Sequence, residues 1–179
     1  MVCVTGSSAR PQPEPVRVRD YRPGEATALR DVFFSSVHAL ACRDYTPAQL
    51  AAWAPLVYDH AAWAERLRSN RPFVAEIGGV PAGFADLQDT GYIDQFFVAA
   101  ACAGRGVGQA LMARILEDAA RRGIGALWAN VSLRAEAFFA GHGFVVETRQ
   151  VVERDGVGLR NARMRRVNTS LHRPFYTAR

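Results

Sequence analysis

The chain has 179 residues, 49% of them hydrophobic, enough to bury one substantial core and too few for two ordinary domains. No apolar run reaches the roughly 18 residues that a membrane span needs, and the opening MVCVTGSSAR has neither the basic start nor the long apolar stretch of an export signal, so a soluble cytoplasmic protein is expected. All 22 basic residues are arginine and face 17 acidic ones, a formal net charge of +5; they are spread along the chain, and the densest group, Arg160, Arg163, Arg165 and Arg166, lacks the interleaved aromatics of a nucleic-acid surface, so solvated faces are the preferred reading.

Residues 1–15 are rich in Ser, Pro and Gly without an apolar period and read as a disordered leader; the catalytic-sized domain spans 16–167, and 168–179 read as a tail. Val16 to Tyr21 alternates as a strand and is stopped by Pro23-Gly24. A helical pattern of Leu29, Val32, Phe33, Val37 and Leu40 follows. Thr46-Pro47 reads as a cap and first helical residue for a short helix through Leu50 and Trp53, and Asp59 caps another carrying Trp63 and Leu67. After Pro72 the period becomes extended. Phe73 to Ile77, Val80 to Leu87 and Tyr92 to Val98, separated by Gly78-Gly79 and Asp89-Thr90-Gly91, predict a three-stranded antiparallel meander. From Gly106 a strongly amphipathic helix places Val107, Leu111, Ile115 and Ala119 on one face, with Arg121, Arg122 and Gly123 at its end. A strand from Ala126 to Val131, a helix from Leu133 to about His142 and two strands around Asp155-Gly156 complete the domain.

A strand ending at Val98, then Gly104, Gly106 and Gly108, then a helix at once, is an arrangement that presents unpaired backbone N–H groups to an anion. Taken alone, the spacing fits a tight turn equally well. It lacks the Gly-Lys-Ser/Thr ending of a P-loop, and its glycines fall two and two apart where a dinucleotide fold has two and three. Neither the three cysteines, Cys3, Cys42 and Cys102, nor the four histidines have metal-ligand spacing, so no metal is expected, and Ser132 with His142 has no identifiable acid partner for a triad.

The run from Tyr92 to Gly108 with its following helix resembles motif A of the GNAT N-acetyltransferase superfamily. A second block agrees with it: where the family often has Asn, then Ala, Phe-Tyr and Gly-Phe, this chain has Ser132, Ala135, Phe138-Phe139 and Gly143-Phe144 at matching spacing. Asp44 to Trp53 also resembles a little-characterised bacterial branch of the superfamily. The resemblance covers about Val16 to Val167. It implies an α/β (α+β) fold with a mixed, mostly antiparallel sheet of about seven strands flanked by helices, splayed between the fourth and fifth strands, with acetyl-CoA lodged in the wedge as acyl donor. It further implies that the main chain of Phe96, Phe97 and Val98 pairs with the pantetheine arm, that the Val98 N–H polarises the thioester carbonyl, and that Gly104, Arg105, Gly106, Val107 and Gly108 hold the pyrophosphate. Asp94 falls where relatives often carry a carboxylate that takes the amine proton; a solvated strand carboxylate is the competing reading.

The chain departs from the family pattern at Ala103, where Gln or Arg usually opens motif A, and at Phe139, where the usual Tyr hydroxyl can protonate the departing thiolate. Ser132 is the nearest substitute by sequence, although a helix N-cap before Leu133 also explains it; Tyr45, Tyr58 and Tyr92 are other sources of a hydroxyl. Trp53, Tyr58, His60 and Trp63 occupy the region that forms an acceptor wall in relatives. The expected reaction is transfer of acetyl to a primary amine of a small molecule or peptide, by direct attack in a ternary complex. A non-catalytic acyl-CoA-binding module and, behind it, a basic nucleic-acid-binding protein are the alternatives, and a homodimer is left open.

Overall fold

The computed structural model describes residues 14–167; the expected leader, save its last two residues, and the tail from 168 onward lie outside them. In chain order the elements are β1 (Arg17–Asp20), α1 (Ala26–Ser35) running into a single π-helical turn (Ser36–Leu40), α2 (Pro47–Trp53), α3 (His60–Asn70), β2 (Phe73–Ile77), β3 (Val80–Ala85), β4 (Tyr92–Ile93), β5 (Phe96–Val98), a 3₁₀ turn (Ala100–Cys102), α4 (Val107–Arg121), β6 (Ala126–Ser132), α5 (Glu136–Gly141), β7 (Val145–Arg154) and β8 (Val157–Val167). Both expected caps are present. Thr46 and Gln49 close a reciprocal capping box ahead of α2, and Asp59 accepts from the amides of Ala61 and Ala62 at 2.9 and 3.0 Å.

The strands form two four-stranded sheets, β1-β2-β3-β5 and β4-β6-β8-β7, antiparallel throughout except for the β4–β6 pair. Side chains on alternate faces of the first sheet serve two cores, as the period of two requires. Phe73, Ala75, Ala85 and Phe96 face α4, whose Val107, Leu111, Met112, Ile115 and Ala119 form one buried stripe. Val74, Phe84 and Phe97 face the opposite way, against Leu29, Val32 and Phe33 of α1 and Leu67 of α3. Gly83 lets α4 come close to the sheet: a Cβ there would lie 2.7 Å from Val107 Cγ1 and 3.1 Å from Leu111 Cδ1. The start of α4 is thereby fixed against β3, next to the strand that leads into the glycine loop.

The expected meander is only partly formed. Phe96–Val98 pairs with β3, but Tyr92–Ile93 leaves that sheet and runs parallel to β6, opposite Trp128 and Ala129. One expected strand is therefore two, and the count rises to eight. The break has a definite cause. Asp86, fully buried, turns its Oδ1 onto the Asp94 N–H at 2.8 Å and its Oδ2 onto Asn70 Nδ2 at 2.8 Å, so a side chain takes the amide at the break. The helix expected from Leu133 begins three residues later, because Leu133 to Ala135 form a turn in which the Ala135 N–H donates to the Ser132 carbonyl at 2.9 Å. Ser132 ends β6 and is not a helix cap; Ala135 holds that position.

Candidate functional site

The two sheets diverge beyond Ile93, and the facing edges carry unpaired main chain. On either side of β5, Asp86 N–H donates to the Gln95 carbonyl and Ala99 N–H to the Ala82 carbonyl, so Gln95 and Ala99 both turn toward β3. By strand alternation Phe97 also turns its main chain to β3, while the N–H and C=O groups of Phe96 and Val98 point away from it, into the gap. Opposite them, Trp128 N–H donates to the Gly91 carbonyl and the parallel register continues to Ile93–Ala129, which engages the Asn130 N–H with β4; beyond it Ser132 turns its main-chain groups to the same gap. Phe96, Val98, Gly108, Ala129, Val131, Phe138 and Phe139 are among the walls of a largely apolar cavity of about 210 Å³.

At the mouth of this wedge lies the glycine loop. Gly104 and Gly106 have φ values of +77° and +82°, a conformation that costs an L-residue roughly 1–2 kcal/mol. A Cβ at either would meet no protein atom within 4 Å, so the space in front of the loop is open. Gly106 is the N-cap of the 15-residue α4 and offers no side-chain cap. The amides of Gly104, Gly106, Val107 and Gly108 find no acceptor among the described residues. The Arg105 amide is different: it closes a turn onto the Cys102 carbonyl at 3.2 Å, and only its exposed guanidinium faces outward. The loop thus has four free amides at the positive end of a helix dipole, a geometry suited to an anion.

On the other side of the splay lies a second, more polar cavity of about 140 Å³, walled in part by Phe33, Tyr45, Trp63, Tyr92 and Gln95. Five residues line both cavities: Trp53, Asp94, Phe97, Asn130 and Ser132. Asp94 sits at this junction, held from one side. Its Oδ2 accepts from Arg66 Nε and Nη2 at 3.0 and 2.7 Å and from Asn70 Nδ2 at 2.9 Å. Asn70 therefore bridges two carboxylates, and Asp86 behind it is pushed up to about 6, chiefly by burial and further by the Asp94 charge, against the pull of its hydrogen bonds.

The sequence aligns accordingly. The family described as Acetyltransferase (GNAT) domain matches residues 41–166. Over 150 residues, 84% of this chain and 95% of the relative, the sequence is 32% identical to the uncharacterized N-acetyltransferase YafP of Escherichia coli K12. The chain belongs to the GNAT acetyltransferase family. Among solved structures it resembles a GCN5-related N-acetyltransferase from Rhodopseudomonas palustris, at 33% identity and a TM-score of 0.81 over 90% of this chain and 99% of that one. The fold is shared with YncA of Salmonella typhimurium, solved with acetyl-CoA, at 21% identity and a TM-score of 0.62 over 86% and 94% of the two chains.

Of the hydroxyls in this acetyltransferase, Tyr45 is committed elsewhere: it donates to the Arg160 carbonyl at 2.6 Å and accepts from the Leu133 N–H at 3.0 Å, tying the β8 strand to the turn after β6. Tyr58 lies outside both cavities, under the Arg30 guanidinium at 4.3 Å. Tyr92 lines the polar cavity, stacked on Trp128, and its hydroxyl is raised above the usual tyrosine range by burial and the Asp94 charge. Phe139 is buried among Phe96, Phe138 and Phe144 and has no proton to give. Trp53 and Trp63 line the polar cavity, whereas His60 packs against Tyr58. Of the arginine group, Arg163 and Arg165 are engaged within the protein, both near Glu147, at 3.3 and 3.7 Å.

Sequence reasoning missed Asp86, Asn70, Arg66 and Gln95. A carboxylate inside the apolar run Ala82-Gly83-Phe84-Ala85-Asp86-Leu87 was the available signal, because a buried acid needs partners. Phe138 was also missed: its ring would stand 3.2 Å from a Cβ on Gly108, so that glycine admits an aromatic wall.

Proposed function

We propose that the enzyme moves an acetyl group from acetyl-CoA to a primary amine by direct attack in a ternary complex. The observation that carries this reading is the junction: a wedge with unpaired strand edges and a polar cavity meet at Asp94, Asn130 and Ser132. The residues present fit the donor. Open space before Gly104 and Gly106, free amides at the start of α4 and an exposed Arg105 guanidinium suit a pyrophosphate; the edges of Phe96 and Val98 suit an extended amide-bearing arm. Phe97 contributes through its ring, since its main chain is spent on β3.

A thioester supplies an activated acetyl group and a leaving thiolate. On the protein's side, the Val98 N–H is the donor available to a carbonyl oxygen in the gap. Asp94 accepts the amine proton, directly or through a water, and Arg66 and Asn70 fix its orientation. The Ser132 hydroxyl stands at the junction as a polar contact for the sulfur side. No strong acid is required, because a thiol of pKa about 8.5 leaves readily as thiolate near neutral pH.

A thiol-release screen with acetyl-CoA against small amines, antibiotics and peptide N-termini tests this. Amine-dependent release is the expected result. The buried Phe139 favours one second reading, a non-catalytic acyl-CoA-binding module; acetyl-CoA binding with no release across the panel establishes it instead. A more local check concerns the loop. Gly106→Val combines a strained left-handed cap with a side chain in the open space, and a rise of at least about tenfold in the KM for acetyl-CoA, at little change in kcat, is expected from steady-state kinetics.

A further inference from the structure

The polar cavity contains more hydrogen-bonding capacity than the protein uses. Gln95 is 2% exposed, yet its side-chain amide has no hydrogen-bond partner among the described residues, and its Oε1 is fully shielded from solvent. A buried group left without a partner costs about 1–3 kcal/mol, so this amide is free to take its partner from a molecule in the cavity. Asn161, on β8, repeats the pattern: its Oδ1 is buried without a partner. In the β7–β8 hairpin Gln150 stands opposite Asn161, Val152 opposite Leu159 and Arg154 opposite Val157, so the alternation puts Arg154 on the same face as Asn161. Arg154 lines the cavity, is exposed and makes no ion pair among the described residues.

The cavity is therefore polarised. The end shared with the wedge carries the carboxylate Asp94, paired with Arg66; the β7–β8 hairpin contributes two cations without an ion pair among the described residues, Arg154 and Arg160; two uncommitted amides and the rings of Trp53, Trp63 and Phe33 line the same cavity. A volume of about 140 Å³ is below the roughly 300–1,000 Å³ of sites for drug-sized molecules. Resting on the acetyl-transfer reading above, we propose that the acceptor is a small free amino acid, its amine directed to Asp94, its carboxylate to Arg154 and its apolar side chain to the aromatic wall. Gln95 and Asn161 take the remaining amine N–H and the second carboxylate oxygen. The neutral amine nitrogen forms a bond to the acetyl carbon, the carbon–sulfur bond breaks with its electron pair on sulfur, one amine proton passes to Asp94 and on to solvent, the thiolate takes a proton from solvent, and the products are an N-acetyl amino acid and CoA thiol.

The test compares short aliphatic and aromatic amino acids with their methyl esters and decarboxylated amines, in the thiol-release assay, beside calorimetric titration of CoA. The expected result is a kcat/KM for the acids at least about tenfold above that of the esters. Arg154→Gln is expected to lower the value for the acids by about ten- to a hundredfold, the usual worth of a charge-assisted hydrogen bond, and the value for the esters by much less. Gln95→Leu is expected to raise the KM for the acids while CoA affinity holds. Esters or decarboxylated amines turned over as well as the acids, an equal loss for acid and ester in Arg154→Gln, or CoA binding with no amino acid accepted, each overturns the assignment. Failure of CoA to bind overturns the donor reading itself.

Discussion

Asp94→Asn is expected to lower kcat by about 10² to 10⁴, the range spanned by loss of a general base. The substitution keeps the size of the side chain and an oxygen able to accept from Asn70, but it cannot take up a proton and it no longer pairs with Arg66. That ion pair, with Arg66 43% exposed, contributes at most about 1 kcal/mol to stability, so folding should survive. The pH profile identifies the cause. With Asn at this position the reaction depends on amine already neutral in solution, so kcat/KM should climb tenfold per pH unit until the amine is deprotonated, whereas the native enzyme levels off earlier. Equal rates for the two proteins from pH 6 to 9 at saturating acceptor remove Asp94 from proton transfer.

Asp86 should produce the largest stability effect. Asp86→Ala leaves the Asp94 N–H without its acceptor beside a fully buried position and takes from Asn70 one of its two carboxylate partners, and the orphaned amide alone costs about 1–3 kcal/mol. Asp86 acts through Asp94, as a positioning residue, and its loss should lower kcat more than it raises the KM for acetyl-CoA. Its protonation gives a second handle. A folded value of about 6 against an ordinary 3.8 means that the folded protein holds this proton more tightly than the unfolded chain. Stability from this group is therefore full below about pH 4 and declines as pH rises to about 6, by about 3 kcal/mol in all, then stays level. Urea denaturation of the native protein and of Asp86→Asn at pH 4 to 7 isolates the effect. The native protein should lose stability relative to the variant by that amount across the range, and a constant difference refutes the raised value.

The long-range order of this fold was legible wherever one face of an element is apolar. The stripe of α4, the cap of Thr46 and the alternation of Phe73 to Ile77 all depend on local spacing, and each forms where expected. The glycine loop was legible for the same reason, since its positive φ values require the residue type that occupies it. The break at Asp94-Gln95 was not. Tyr92 to Val98 has the composition of one strand, and what divides it is a carboxylate that lies eight residues upstream in sequence and becomes adjacent only after β3 and β5 pair. Ser132 failed in a similar way: a serine before a helical pattern fits a cap, but the Ala135–Ser132 turn delays the helix past its reach. Arg66 and Asn70 share one face of α3, four residues apart, but their meeting with Asp94 and Gln95 is tertiary, and no spacing in the sequence marks it.

Among the described residues no rung of hydrogen bonds joins β5 to β6; the two sheets are connected through the chain before β4, at Asp94-Gln95 and along α4, and by side-chain contacts. A substrate laid along that seam with bonds to both edges would act as a missing plank, spanning the two halves while it reacts. The donor would then be part of the enzyme's framework as well as its reagent, and the empty enzyme the slacker of the two forms, with its thermal midpoint set partly by how much donor surrounds it.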